Sequence, residues 1–588
     1  MAGFKPQGLI ALIFPIAFFA IIFSAVVGDC DNGDSGSGAG PINVEKISKQ
    51  EAGRRLADAV SRIQPVENYV QTREMVVVDR KADLADTLPD VAYIDKHYPL
   101  TVNPYNATSG DVVVEVFCST EKSGSKQPDN WFTTVADDFN RRDVLLSSGK
   151  HARVRVRYID SGTGYFYIAA KKYIPDAYSP SNILWIKMVE ASGTPVTLFA
   201  DSLVGNVAGI VLRDETYDKL KKDYGTVDVK AVIDAVAQGS IAMGYTNPFA
   251  SSTGLNFLVT VLATYAGHDQ ARMLSPEVIS SFEAFQKGVP YVALTTIQMR
   301  ESVVRGGLLD AFVLEHQTYL REPALQRGYK FIPFGVRHDN PLYGLGKLSA
   351  DKTEALRALA RYAQARKALA DQYMFNQDKT YRSPFPIPAG TVLAEAQALW
   401  KQKKDSGRPI AAVFLSDISG SMNGYPLQNL KIALKEGARF INPHNAIGLV
   451  EYSTRVYERL PIAEFNALHQ SRYQAAVSAM EVEDQTAMFD GIMVSLRLLT
   501  DFSAGHPDFK PMLFVLTDGN TNSGVYQGLG DVAPIIASYG IPVYTIAYGE
   551  QVNSSLLKNL SAINEAASMD AKDEAIINKI GALLNAEM

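Results

Sequence analysis

The chain has 588 residues, of which 47% are hydrophobic and 20% charged, an ordinary composition for folded, soluble material with room for about two to four domains. A net charge of −6 and a pI near 5.9, with Lys and Arg scattered and never gathered into a stripe, argue against nucleic-acid binding. Two cysteines, Cys30 and Cys118, exclude a disulfide framework and a cysteine-rich zinc site, and Cys118 is expected to pack as a small apolar residue.

Residues 9–27 run without a charge behind Lys5 and the amino terminus, long for a signal-peptide core and just enough to span a bilayer. Asp29, Asp31 and Asp34 follow, so the charge asymmetry favours a cytoplasmic amino terminus with the rest outside. Three outcomes are open: retention as an anchor, which this reading favours, cleavage near Val26-Val27-Gly28, or lipidation of Cys30, against which Asp29 stands where a small residue is needed. Residues 1–28 are therefore expected to act as a signal or transmembrane anchor, holding a body that is membrane-anchored and extracytoplasmic, periplasmic or at the cell surface. Residues 29–42, rich in Gly, Ser and Asp, read as a flexible linker. In residues 43–108 an amphipathic helix is expected over 44–63, with Ile47, Ala52, Leu56, Ala57, Val60 and Ile63 near helical spacing, and the segment reads as a small helical adaptor.

From 109 to 390 the pattern changes. A strand over 111–117 stops in Cys118-Ser119-Thr120-Glu121-Lys122, a helix follows over 131–139, and a strand over 152–159 stops in Asp160-Ser161-Gly162. Strand, polar loop and helix alternate to about residue 385, which predicts an α/β fold with mainly parallel pairing and polar loops gathered at one sheet edge. Residues 175–182 (PDAYSPSN), 244–255 (GYTNPFASSTGL) and 307–312 (GLLDAF) resemble the type II periplasmic solute-binding proteins. That resemblance implies two lobes with ligand in the cleft between them, crossings near 205–212 and 311–317, and Ser119, Thr120, Ser161, Ser179, Ser181 and Asn182 as cleft donors. Ordinary turn and cap chemistry accounts for the same residues equally well. Ser251, Ser252, Thr253 and Gly254 read as a helix start, where free N–H groups and the dipole favour an anion and Gly254 lets a ligand approach the backbone, although plain capping needs no ligand. The solute is thus expected to be a small anion or carboxylate, with Arg300 and Arg305 as candidate cationic partners. Trp185 and Tyr245 are candidates for stacking on a ligand or for the core.

A proline-rich joint at 382–390 and a charged helix over 393–404 lead to the last third of the chain. There the apolar run 409–416 stops in Asp417-Ile418-Ser419-Gly420-Ser421-Met422 and gives way to an amphipathic stretch over 427–441. A buried parallel strand ending in such a loop places its carboxylate and hydroxyls at the carboxyl edge of a sheet, as hard oxygen ligands suited to Mg²⁺ or Ca²⁺. Further on come Asp484-Gln485-Thr486-Ala487-Met488-Phe489-Asp490-Gly491 and, after an apolar strand over 512–516, Thr517-Asp518-Gly519. In order and spacing these pieces resemble the metal-ion-dependent adhesion site of the von Willebrand factor A family. The resemblance implies a Rossmann-like domain over 405–588, a site made of Asp417, Ser419, Ser421, Thr486 and Asp518 that takes Mg²⁺ (or Ca²⁺ or Mn²⁺), and a protein partner that supplies a carboxylate. Two carboxylates balance the divalent charge while hydroxyls add none, which leaves the ion electrophilic. Asp484, Asp490 and Glu451 are expected to be solvated surface residues. Where many relatives carry a late glycine pair, this chain has Ala566-Ala567-Ser568.

No Gly-rich phosphate loop, no Gly-x-Ser-x-Gly elbow and no His-x-x-x-His spacing among the 8 histidines asks for an enzyme. The expectation is an α/β protein with a two-lobed type II solute-binding-like domain followed by a Rossmann-like domain. Its expected work is non-enzymatic: membrane-tethered binding that joins recognition of a small solute to divalent-metal-dependent protein binding. The alternatives are the solute-binding component of an ABC-type transporter, or an assembly factor for an ATPase partner.

Overall fold

A computed structural model describes residues 44–45, 47–72, 88, 91–104, 107–293, 295–305, 309–404, 408–517, 521–548, 553–564, 566 and 568–571. The expected anchor, its processing sites, the linker and Asp518 lie outside the described residues. Among the described residues no helix is long and apolar enough to cross a membrane. The class is α/β, carried by three sheets.

The sheet of the last domain is built around Ile410–Asp417, a strand whose every residue is buried. It pairs in parallel with Ala446–Tyr452 on one side and Lys510–Thr517 on the other, and Val543–Tyr548 and Ser568–Ala571 continue the parallel set. A strand covered on both faces needs apolar side chains in both directions. Ile410, Ala412 and Phe414 enter one layer with Leu430, Leu434 and Tyr473, while Ala411, Val413 and Leu415 enter the opposite layer with Met488, Ile492 and Val532. Because the strands run parallel, the loops that follow them share one edge.

The expected adaptor over 43–108 is not a separate body. Its helix forms over Lys49–Ile63, later than the hydrophobic spacing suggested, because Ser48 takes the N-cap and accepts from Glu51 N at 3.1 Å. Ala52, Leu56 and Ala59 then pack into the layer of Met488 and Val532, against the helices Met488–Gly505 and Leu529–Tyr539. Val66–Glu67 adds a parallel edge strand to Val456–Glu464 of the same sheet, whereas Leu100–Val102 joins a different sheet. Residues 49–67 therefore belong with the last domain. Leu56→Ala is expected to destabilise that domain by about 2–5 kcal/mol, the range for a buried leucine truncated in a packed core, measured by urea unfolding of the full chain.

The middle of the chain forms two lobes. The first carries the sheet order Leu100–Val102, Ala152–Tyr158, Val112–Cys118, Ala177–Ser179, Leu342–Leu345, Val196–Ala200, and the second Tyr329–Phe334, Ala208–Arg213, Ala311–Glu315, Met243–Thr246, Tyr291–Ala293. Cys118 is buried and free in the first lobe, and burial pushes its thiol up to about 11. The outward crossing lies at 201–207, just before the expected place. The return lies at 335–341 and not at 311–317, since Ala311–Glu315 is the central strand of the second lobe, antiparallel to Ala208–Arg213 and parallel to Met243–Thr246.

Gly390–Lys403, expected as a lead into the last domain, packs instead on the middle module, against Leu184–Ala191 and Ser252–Tyr265. Leu393, Ala396 and Trp400 enter one apolar cluster with Trp185 of the first lobe and Tyr245 and Phe257 of the second. Trp400 Nε1 donates to Tyr245 OH at 2.6 Å and Gln397 Nε2 to the Pro248 carbonyl at 2.7 Å. Trp185 and Tyr245 are thus core residues, as the plainer of their two readings had it.

Candidate metal centre and inter-lobe cleft

Asp417 ends the central strand and is fully buried. Ser419 N donates to its Oδ1 at 2.9 Å, and Tyr452 OH and Thr517 Oγ1 each donate to its Oδ2 at 3.0 Å. These last two side chains come from the strands on either side, so the register of the sheet aims them. Burial, and then the Asp417 charge, hold the Tyr452 hydroxyl well above its ordinary pKa, which keeps it a donor. Ser419 Oγ and Ser421 Oγ lie 3.1 Å apart in the tight turn that follows, with Ser419 buried and Ser421 exposed.

Thr486 reaches the same edge from the loop before Met488–Gly505. Its N–H donates to Asn522 Oδ1 at 2.8 Å, and its carbonyl accepts from Asn522 N at 3.0 Å and from Thr521 Oγ1 at 3.2 Å. The first loop is tied to it as well, with Gly420 N on the Asp484 carbonyl at 3.1 Å and Glu483 N on the Ile418 carbonyl at 2.7 Å. Three loops remote in sequence are thus zipped together by backbone bonds. Among the described residues no three His, Cys, Asp or Glu side chains cluster as a metal site. The donor set here is one carboxylate with three hydroxyls, all hard oxygen, which fits a hard divalent cation and not a soft one. Tyr425, 81% exposed, begins the helix that follows the first loop.

Of the expected surface acids only Asp484 is exposed. Asp490 is buried in the first turn of its helix and accepts from Val525 N at 2.8 Å and Tyr526 N at 2.9 Å, which positions the chain beyond Asp518. Glu451 is buried on the strand Ala446–Tyr452 with Arg459 Nε at 3.3 Å. Its burial, offset in part by that guanidinium, raises the carboxyl from 4.5 to about 7. The folded chain therefore holds this proton more tightly than the unfolded one. The contribution is fully present below pH 4.5 and is lost as pH rises to about 7, for a total of about 3 kcal/mol. Glu451→Gln, unfolded in urea beside the native chain with chelator present, is expected to match it near pH 4.5 and to exceed it above pH 7.

The cleft of the middle module is a small cavity of about 10 Å³, room for about one water molecule. Six of the expected donors line it: Thr120, Ser161, Ser181, Ser251, Ser252 and Thr253. Ser119 and Asn182 are not among its lining residues. Ser119 Oγ accepts from the buried Lys122, which also donates to the Ser179 carbonyl at 2.9 Å. Asn182 Oδ1 accepts from Leu184 N at 3.1 Å, and its Nδ2 faces His338 Nε2 at 3.1 Å. The lobes meet closely here, with Ser252 Oγ on Ser161 Oγ at 2.9 Å and Gly162 N on the Ala250 carbonyl at 2.9 Å. A Cβ on Gly162 would fall 1.8 Å from the Phe249 carbonyl oxygen.

The helix start at Ser251 caps itself, Ser251 Oγ accepting from Gly254 N at 3.3 Å, and a Cβ on Gly254 would fall 2.1 Å from the Thr246 carbonyl oxygen. That glycine serves packing, not the approach of a ligand. Arg300 does not line the cavity but pairs with Asp129 of the first lobe at 3.2 Å; the Arg305 side chain lies outside the described residues. What the spacing did not single out are the carboxylates Glu121, Asp160 and Glu315, which line the same cavity. Each stands at the end of a strand or directly after one, a place where acids are common, so nothing in the spacing marks them.

Behind the cavity sits His338, fully buried. Val336 N donates to Asn256 Oδ1 at 2.8 Å, so Asn256 Nδ2, like that of Asn182, faces His338 Nε2 at 3.1 Å. Two donors on Nε2 fix the tautomer with hydrogen on Nδ1, which donates to Glu315 Oε1 at 2.8 Å. Asn206 Nδ2 donates to Glu315 Oε2 at 2.9 Å.

Residues 412–581 match the family model "von Willebrand factor type A domain". Among curated proteins, an uncharacterized protein of Synechocystis sp. is 22% identical over 158 residues, 27% of this chain and 36% of that protein. Inter-alpha-trypsin inhibitor heavy chain H1 of Homo sapiens is 26% identical over 159 residues, 26% of this chain and 17% of that one. The matches thus take in well under two thirds of these relatives' length. Among solved structures, a periplasmic thiamin binding protein aligns with 51% of this chain and 98% of its own at 11% identity and a TM-score of 0.36. The family match and the parallel sheet together establish that the last part of this chain, over residues 412–581, is a von Willebrand factor type A domain with a Rossmann-like fold.

Proposed function

We propose that this chain is a membrane-tethered, extracytoplasmic binding protein in which the type A domain binds a protein partner through a divalent metal and the two-lobed module takes a small solute. The observation that carries the reading is Asp417, buried at the end of the central strand and oriented by Tyr452 and Thr517, beside the paired hydroxyls of Ser419 and Ser421. With Thr486 and Asp518, these residues would hold Mg²⁺, or Ca²⁺ or Mn²⁺, and the ion would supply an electrophilic site for a carboxylate. The exposed Tyr425 beside the first loop is the type of side chain that anchors a partner. Residues 9–27 would hold the body to the membrane, with the acidic residues after them on the outer side.

The transport alternative has less support, since the helix Gly390–Lys403 packs across both lobes and opposes the wide opening that delivery to a permease calls for. Affinity capture from detergent-solubilised membranes, in Mg²⁺ and in chelator, tests the reading. A partner retained only in Mg²⁺ is expected; identical capture in both would defeat it.

A further inference from the structure

The inter-lobe cavity combines two kinds of electrostatics that favour opposite ligands. Helices begin at it over Ser161–Ala169, Ser252–Tyr265 and Thr296–Arg305, and each helix start favours an anion by about 0.3–1 kcal/mol. Glu121, Asp160 and Glu315 line the same space, and a carboxylate about 5 Å from a ligand charge contributes about 3 kcal/mol at an effective dielectric of about 20. Lys122 offsets one of the three. Asp160 Oδ1 accepts from Thr163 N at 2.8 Å and so caps the helix start at Ser161. That leaves one carboxylate, at about 3 kcal/mol, against two helix starts, at about 0.6–2 kcal/mol together, so the cavity disfavours an anion.

Glu315 is held as an acceptor. Both its oxygens receive neutral donors, His338 Nδ1 and Asn206 Nδ2, and the histidine tautomer is fixed by two amide groups whose own oxygens are engaged elsewhere. Nothing in that network cancels its charge. Glu121 is 7% exposed, and its Oε1 has no hydrogen-bond partner in the protein, while Thr120 Oγ1 stands 3.5 Å from its Oε2. Ser181, another lining residue and 1% exposed, also has its Oγ without a partner. Buried polar atoms are almost always satisfied, and here two residues that line one small cavity each keep a polar atom without a partner.

We infer that the cavity is the seat of a primary ammonium group, so that the solute taken by this module is an amine and not an anion. The inference rests on the solute-binding reading above and names the class of its ligand. An ammonium group is about the size of the cavity, donates three hydrogen bonds and carries the charge that the carboxylates lack. Glu121 Oε1 and Ser181 Oγ accept two of those bonds, and Glu315 supplies fixed negative charge behind them. Burial, and then the Glu315 charge, raise the Glu121 carboxyl above its ordinary value, a cost that a bound cation relieves.

Calorimetry of the full chain in detergent, with Mg²⁺ constant, tests it with methylammonium, putrescine, potassium, sulfate, phosphate and glucose as probes. The expected result is saturable binding of the amines alone, weakened at least 10-fold by the isosteric Glu121→Gln and more mildly by Ser181→Ala, with unfolding midpoints unchanged. Potassium binding as tightly as methylammonium would overturn the ammonium assignment in favour of an inorganic cation. Binding of sulfate, phosphate or glucose in place of amines would overturn the inference and leave the solute-binding reading standing. Binding of none of the probes would overturn both.

Discussion

Asp417→Ala is expected to abolish divalent-dependent capture of the partner, with a loss of at least about 100-fold, since even residues that only orient a metal ligand cost about 10–100-fold when removed. The effect is large because Asp417 has two tasks. It would supply one of two carboxylates to an ion that gives up its hydration reluctantly, and it accepts the Tyr452 and Thr517 hydroxyls that join three strands at the site. The alanine variant leaves those two buried donors without this acceptor, at about 1–3 kcal/mol each. Asp417→Asn keeps an acceptor there and is expected to lose capture with a smaller effect on stability. Pull-down in Mg²⁺ alongside urea unfolding of both variants separates the metal role from the structural one.

The second large effect is expected at His338, in the middle module. His338→Ala removes the acceptor for Asn182 Nδ2 and Asn256 Nδ2 and the donor to Glu315 Oε1, leaving a buried carboxylate short of a partner. A loss of about 1–3 kcal/mol for each buried polar group left without its partner is expected. Because the chain crosses between the lobes twice around this residue, the loss should appear as early unfolding of the middle module, read by hydrogen exchange in Met243–Thr246 and Ala311–Glu315, while the type A domain keeps its protection.

The candidate metal centre was legible because its residues fall in short stretches, two of them at the end of an apolar strand and the third, around Thr486, just before a helix, and strand ends can be found from hydrophobicity alone. Its supports were not. Tyr452 and Thr517 reach Asp417 only through the register of parallel neighbours, and Asn522 finds Thr486 only because two loops share one edge. Asp490 and Glu451 looked like surface acids because a carboxylate in a sequence carries no mark of the partner that satisfies it. The helix Lys49–Ile63 was visible as an amphipathic stripe, but a stripe does not name the surface it covers, so its place in the last domain's core was beyond reach.

In the middle module the hydroxyl ring could be read because Ser and Thr cluster after strands, and six of them do line one cavity. The carboxylates Glu121, Asp160 and Glu315 that line it could not, since they come from three separate parts of the chain. A helix start considered by itself suggested an anion. The return crossing was misplaced for a related reason: apolar periodicity finds the strand Ala311–Glu315 but does not say which lobe it joins.

The central claim is that the Asp417 edge holds a divalent ion, and titration of Mn²⁺ into the full chain, followed by electron paramagnetic resonance, tests it most directly. One saturable ion per chain is expected, displaced by Mg²⁺, lost in Asp417→Asn, and lost in Thr486→Ala without a change in the unfolding midpoint of the metal-free chain. Binding of equal affinity in the native chain and in Asp417→Asn would contradict it.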